Sequence, residues 1–219
     1  MSNALPRLVR AAAATTLAVG VICQFLQHTD PVFPLAYFTI DSAILMTVVL
    51  SIPNRGQWHD VVRGAATQGV ILSGVVYAAV IVPGSKSGHW FAPHDDFYIR
   101  TANLLLHAIA PLLVIFDFLA QDYPASSIAK TISQWMLIPL AYLIVMETLD
   151  VTGLVGMPYE FLRISGGAGL ARFSLAILAL LAVIAMLDWA LLAAYRKIHS
   201  RNPAASSAHS VTQGSSNET

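Results

Sequence analysis

Charged residues are scarce in this sequence. Only 11% of the 219 residues are Asp, Glu, Lys or Arg, whereas a soluble domain has about a quarter. Hydrophobic residues make up 56% of the chain, and the mean hydropathy is +0.65. This composition excludes an ordinary soluble domain and predicts an integral membrane protein. The formal net charge is zero, and no basic cluster stands among aromatic residues, so a nucleic-acid partner is excluded too.

Cysteine is almost absent. The only one, Cys23, lies in the first apolar run, so the chain can form neither an internal disulfide nor a cysteine-based metal site. We expect Cys23 to be a small core residue. A single intramembrane histidine without a Cys or His partner also argues against a bound metal, and we expect no cofactor.

Long apolar runs predict six transmembrane helices, each near the roughly 20 residues that cross a bilayer. The first run follows two arginines, and we interpret it as a retained helix and not as a signal peptide. The six runs extend over about 11–27, 33–52, 61–82, 103–117, 130–149 and 170–195. Residues 1–200 are therefore expected to form one all-α transmembrane bundle, and residues 201–219 a disordered cytoplasmic tail.

The positions of Lys and Arg predict the orientation of the helices. With a cytoplasmic N-terminus, eight of the twelve basic residues lie inside and four outside. Because cytoplasmic loops carry the excess of Lys and Arg, both termini are expected in the cytoplasm and the protein in the cell membrane. The sequence leaves the oligomeric state open.

A histidine interrupts the fourth apolar run, NLLLHAIAPLLVIFD. An ionisable side chain within a membrane span indicates a functional group by default. Pro111 has no N–H for the carbonyl of His107, so the helix is expected to bend there. Asn103 precedes His107 by four residues and shares its helical face.

Polar residues are predicted to gather in the outer third of the bundle. With both termini inside, spans two and four begin at the outer surface, and a rise of about 1.5 Å per residue puts Thr39 about 6 to 9 Å and His107 about 10 Å below it. Span five ends at the same surface. The set comprises Thr39, Asp41, Ser42, Asn103, His107, Glu147 and Asp150. It predicts a polar pocket open to the outer leaflet above an apolar middle, with Asp117 and Asp188 pairing to arginines near the inner surface.

Thr39 and His107 could form a nucleophile and base pair. A threonine hydroxyl needs a neighbouring base to become a nucleophile, and histidine is the usual base near neutral pH. Two plainer interpretations stay open: a threonine hydroxyl bonded to its own helix backbone, and a structural histidine. Asp41 lies about 200° around the helix from Thr39, and could orient His107, pair with Asn103 or bond within the bundle.

Three motifs carry a resemblance to a known family. They are FTIDSAIL after a proline-rich turn, NLLLHAIAPLL, and PYEFLRISGGAGLAR before the last span. Together they resemble the androgen-induced and androgen-dependent membrane proteins and their bacterial six-span relatives. The resemblance implies a threonine hydrolase of fatty acid esters of hydroxy fatty acids, with Thr39 as nucleophile and His107 as base.

The remaining polar residues are candidates for supporting roles. Asn103, Asp41, Ser42 and Glu147 could bind substrate, stabilise the oxyanion or orient the pair, and the expected partners are a lipid ester and membrane lipids. Rival functions are a small-molecule or proton-coupled membrane transporter, which would need polar residues continuing to the inner surface, and a non-catalytic membrane scaffold. A b-type haem protein would need paired axial ligands, and the other histidines fall in predicted loops or the tail.

Overall fold

The computed structural model describes residues 4–53, 56–84, 96–123, 127–164 and 169–200. These residues form helices and no strand. The main elements are α1 Ala4–Leu26, α2 Phe38–Ser51, α3 Gln57–Gly84, α4 Phe97–Ala120, α5 Ile128–Val151 and α6 Gly169–Ser200. The tail expected at residues 201–219 lies outside the described residues.

Five of the six helices, all except α2, are long and apolar enough to cross a membrane. The chain is therefore an all-α integral membrane protein, as its composition predicts. Helix α2 has only 14 residues, fewer than the roughly 20 that span a bilayer. The sequence predicts a longer helix beginning near Phe33, but Pro34–Ala36 form a 3₁₀ turn and α2 begins at Phe38.

The later start of α2 changes the position of Thr39. It lies in the first turn of the helix and not one to two turns below its start. The first four N–H groups of a helix have no partner within it, so the main-chain N–H of Thr39 is available to other groups. At the opposite end of α2, Arg10 of α1 donates hydrogen bonds of 2.7 to 3.1 Å to the carbonyls of Val49, Leu50 and Ile52.

Helix α3 is the central element, buried over most of the stretch from His59 to Gly74. Small residues allow its neighbours to approach closely. A Cβ atom added at Gly64 would lie 2.2 Å from the Trp135 ring of α5, and one at Gly74 would lie 2.9 Å from the His107 carbonyl oxygen of α4. The main chains of α3 and α4 are therefore in contact beside His107.

Both α3 and α4 contain a π turn, in which hydrogen bonds join residues five apart. The turns are Tyr77–Ile81 and Leu105–Ile109, and each ends two residues before a proline, Pro83 or Pro111. Because proline donates no hydrogen bond, the regular ladder is interrupted just ahead of it. The interruption in α4 lies where Pro111 predicts a bend, and it includes His107.

Buried polar groups lie beside the first half of α3, and one pair of them, Gln68 and Asp188, interrupts the expected apolar middle. In the first half of α3 the fully buried Arg63 donates to the Gln121 side chain at 2.7 Å and to the Asp122 carbonyl at 3.1 Å. Asp117, also fully buried, accepts from Gln121. Further along α3 the Gln68 amide donates to Asp188 at 3.1 Å, so Asp188 bonds an amide and not the expected arginine.

Two smaller expectations also need correction. His59 and His199 lie within α3 and α6 and not in loops. Glu147 and Asp150 are buried near the end of α5, so they are not a solvated helix end. Cys23 is buried and free, as expected of a core residue.

Candidate active site

One cavity of about 240 Å³ lies where α2, the second half of α3, α4 and α5 meet. Thr39 of α2 and His107 of α4 both line it, and so does Asn103 of α4. Most of the remaining wall is aromatic or aliphatic, with Phe38, Leu72, Val76, Leu106, Leu143, Phe161 and Leu180 among its residues. The cavity therefore offers an apolar volume in which a few polar groups converge, which is typical of small-molecule sites.

Thr39 occupies the N-terminal turn of α2 and is buried. The Tyr159 hydroxyl lies within hydrogen-bonding reach of the Thr39 hydroxyl and of the main-chain N–H groups of Phe38 and Thr39. The Tyr142 hydroxyl donates to the Ala36 carbonyl at 2.7 Å. Two tyrosines thus enclose the start of α2, and the Tyr159 oxygen lies beside its first-turn N–H groups.

His107 is positioned by contacts with α3. Its imidazole stacks on the Tyr77 ring, with the centroids 3.9 Å apart and the planes 6° from parallel. The imidazole also lies beside the main-chain carbonyl of Ser73, and Nδ1 is buried without a well-formed hydrogen bond. Both stacked residues lie within π turns. The ring is therefore held against α3 while His107 remains part of the cavity wall.

The other predicted site residues do not all reach this cavity. Asp41 and Ser42 line a separate groove between α2 and α5, and Asp41 is exposed there. Ser42 is buried against α3, where a Cβ added at Gly69 would lie 2.6 Å from its Oγ. Asp41 faces a different direction from Thr39, as expected from their separation of about 200° around the helix. Neither residue contributes to the walls that Thr39 and His107 share.

Glu147 lies outside the cavity wall and supports the loop after α5. Its carboxylate accepts a 3.4 Å hydrogen bond from the Ile164 N–H. Asp150 accepts at 3.0 Å from the Met157 N–H and pairs at 3.0 Å with Arg163. These contacts fix both ends of a segment whose Tyr159 and Phe161 line the cavity. They make Glu147 and Asp150 anchors of this loop.

The sequence analysis missed the four tyrosines that line the cavity: Tyr37, Tyr77, Tyr142 and Tyr159. Tyr159 belongs to the PYEFL motif, which contributes to the family resemblance but gives no sign of which residue faces the site. Burial raises the pKa of Tyr159 to about 12, although the donors at the start of α2 act in the opposite direction. The Tyr37 hydroxyl donates to Asp30 at 2.6 Å.

Comparison with known proteins assigns no family. No family model, curated protein or solved structure matches the chain. The resemblance carried by the three motifs therefore stays a prediction. Among the described residues, no group of three or more His, Cys, Asp or Glu side chains is arranged to hold a metal ion.

Proposed function

We propose that this protein is an intramembrane hydrolase of a lipid ester, with Thr39 as nucleophile and His107 as general base. The observation that carries the proposal is the shared cavity: a threonine hydroxyl from α2 and an imidazole from α4 line the same small, mainly apolar volume. The three motifs that resemble the androgen-induced and androgen-dependent membrane proteins add support, because those proteins use one Thr and one His at the matching positions.

The proposed reaction uses the groups in the cavity wall. Thr39 Oγ attacks the ester carbonyl while His107 takes its proton, and the imidazolium then protonates the departing alcohol. Water enters, gives a proton to His107 and attacks the acyl-threonine, and Thr39 Oγ recovers its proton as the fatty acid leaves. Asn103 lines the same cavity and is placed to contact the bound ester. The aliphatic and aromatic wall suits an acyl chain.

The proposal includes a membrane setting. We infer six membrane crossings, with α2 as a short one that the preceding 3₁₀ turn extends, and both termini in the cytoplasm of a cell-membrane protein. Under this arrangement the cavity opens near the outer surface. A fatty acid ester of a hydroxy fatty acid, or a similar lipid ester, would enter from the surrounding outer leaflet.

Labelling with a fluorophosphonate probe tests the assignment of the nucleophile. The wild-type protein in detergent is expected to be phosphonylated on Thr39, as identified by mass spectrometry of the peptide, and Thr39→Ala is expected to lose the label. Thr47→Ala is the matched control, because Thr47 lies on the same helix and its hydroxyl donates to the Ala43 carbonyl at 2.7 Å. Equal labelling of the wild type and Thr39→Ala would reject the proposal.

A proton-coupled carrier is a second candidate, and the buried polar groups along α3 favour it. Gln68 and Asp188 interrupt the part of the bundle that was expected to be apolar. Arg63 lies nearer the end opposite the cavity, and α3 and α4 are both interrupted by π turns. However, none of these three residues is part of the cavity wall. Product analysis in proteoliposomes separates the two functions, since a hydrolase splits the lipid ester into a fatty acid and an alcohol and a carrier leaves it intact.

A further inference from the structure

We propose that Tyr159 is a third catalytic residue, whose hydroxyl donates a hydrogen bond to the oxyanion formed when Thr39 attacks an ester carbonyl. This inference rests on the proposed hydrolase function and identifies a group that the sequence motifs did not single out. It is carried by the position of the phenol oxygen at the start of α2, by the hydrogen bonds of the neighbouring tyrosines, and by the anchored loop that carries Tyr159.

The loop after α5 holds Tyr159 in place. Asp150 accepts a hydrogen bond from the Met157 N–H on one side and pairs with Arg163 on the other, both at 3.0 Å. The Tyr159 ring packs edge-on against Tyr37, with the centroids 6.2 Å apart, and against Tyr142 at 6.5 Å. The loop is anchored on both sides of Tyr159, and two aromatic rings pack against the Tyr159 ring. The Tyr159 hydroxyl is therefore held in one position. Such preorganisation is what an oxyanion donor requires.

The phenol oxygen of Tyr159 lies next to the proposed nucleophile. It is within hydrogen-bonding reach of the Thr39 hydroxyl and of the N–H groups of Phe38 and Thr39. Those N–H groups belong to the first turn of α2 and have no acceptor within the helix. When they donate to the phenol oxygen, the phenol proton remains free for another acceptor, and the bonds received make it a stronger donor.

Among the three tyrosines at the start of α2, the known bonds single out Tyr159. The hydroxyl of Tyr37 donates to Asp30 at 2.6 Å, and that of Tyr142 donates to the Ala36 carbonyl at 2.7 Å. Both protons are therefore committed to other groups. The pKa of Tyr159 is raised to about 12, mainly by burial, so its phenol keeps the proton throughout the physiological pH range.

The atoms of the step balance without proton transfer from Tyr159. The bond from Thr39 Oγ to the carbonyl carbon forms, the Thr39 proton moves to His107, and the carbonyl electron pair becomes the oxyanion. The oxyanion is bonded to the carbon that Thr39 attacks. It therefore forms beside Thr39 Oγ, within hydrogen-bonding reach of the Tyr159 O–H. When the carbonyl re-forms, the alcohol leaves with the proton from His107, and the hydrogen bond from Tyr159 weakens again.

Tyr159→Phe tests this role because it removes the hydroxyl and keeps the ring. Loss of one oxyanion donor lowers kcat by about 100- to 1,000-fold in enzymes where this was measured, and we expect a fall of this order with KM for the lipid ester nearly unchanged. Affinity for a trifluoromethyl ketone, which forms a tetrahedral adduct on a nucleophile, should fall in parallel. Tyr195→Phe is the control, since that hydroxyl bonds to Tyr123 at the opposite end of the bundle.

Introducing 4-aminophenylalanine at position 159 separates chemistry from folding. It keeps the ring and an N–H donor, and is expected to recover at least about tenfold of the kcat lost in Tyr159→Phe. Equal kcat in the two variants would overturn the role of Tyr159, and so would a Tyr159→Phe enzyme within about threefold of the wild-type kcat. If Thr39→Ala abolishes hydrolysis in the same assay, only this inference fails. If Thr39→Ala keeps wild-type hydrolysis, the proposed function fails with it.

Discussion

At the scale of single residues, the candidate site depends on how His107 is held. An imidazole in an apolar environment can serve as a base only if a lone pair faces the substrate, and packing decides which way the ring points. Here one face of the ring lies on Tyr77 and the edge lies beside the Ser73 carbonyl. These contacts come from α3, so a helix that carries neither member of the proposed pair orients the base.

Replacing Tyr77 tests this orientation. Tyr77→Leu removes the flat surface under the imidazole, and we expect phosphonylation of Thr39 to slow by about 10- to 100-fold, as small misplacements of catalytic groups do. Tyr77→Phe keeps the stacked ring and is expected to react within about threefold of the wild type. Rates of fluorophosphonate labelling measure the effect. Equal rates for Tyr77→Leu and Tyr77→Phe would show that the stack does not position His107.

The sequence predicts some of these residues and not others. Thr39 and His107 stand out because polar side chains are conspicuous in apolar runs and because Pro111 indicates an interruption. Tyr77 and Tyr159 do not stand out, since tyrosine is common in membrane helices and at interfaces. Their role depends on which helix packs against which, and no single stretch of sequence carries that information.

At the scale of helices, the site depends on the close contact between α3 and α4. Gly74 lies against the carbonyl of His107 and the ring of Pro111, so the two helices approach without a side chain between them. The two π turns lie beside this contact. They change the direction in which side chains point along each helix. The contact therefore fixes the main chain at His107, whose side chain lines the cavity.

Gly74→Ala is expected to disturb both folding and reactivity. The added Cβ would lie 2.9 Å from the His107 carbonyl oxygen and 2.9 Å from Pro111 Cγ, and neither the backbone nor the proline ring can turn away. Overpacking of this kind costs about 1 to 3 kcal/mol, so the melting temperature in detergent should fall and Thr39 labelling should slow. Gly84→Ala on the same helix is the control, because nothing lies within 4 Å of its Cβ position. Matching melting curves for the two variants would contradict the close contact.

The boundaries of helices were less predictable than their existence. All six main helices fall on the predicted apolar runs, but α2 begins at Phe38 because the segment before it forms a 3₁₀ turn. Hydropathy cannot reveal this, since Leu35 and Ala36 are as apolar as the residues that follow. The difference matters for chemistry, because it places the main-chain N–H of Thr39 at an open helix end.

At the scale of the whole molecule, the bundle has polar groups at two levels. The cavity lies around the start of α2, and the network of Arg63, Asp117 and Gln121 lies beside the first half of α3. Buried ion networks in apolar surroundings are strongly destabilised when one member is removed. We interpret this network as structural support at the end of the bundle opposite the cavity.

Cysteine accessibility tests the inferred orientation of the bundle. On a Cys23→Ala background, which removes the only native cysteine, cysteines are introduced at the exposed positions His28 and Gln57. With both termini in the cytoplasm, a membrane-impermeant maleimide added to intact cells should label His28→Cys and not Gln57→Cys. Lysed cells serve as the control, in which both should react. The reverse pattern in intact cells would place the cavity mouth on the cytoplasmic side.

A double-variant cycle tests most directly whether Thr39 and His107 act together. The measurement is the hydrolysis rate of a fatty acid ester of a hydroxy fatty acid by the purified wild type, Thr39→Ala, His107→Gln and the double variant. Residues that act as one catalytic unit have strongly non-additive effects, so the double variant should hydrolyse the ester no more slowly than the slower single variant. Losses that multiply in the double variant, or a single variant with the wild-type rate, would contradict joint catalysis in this cavity.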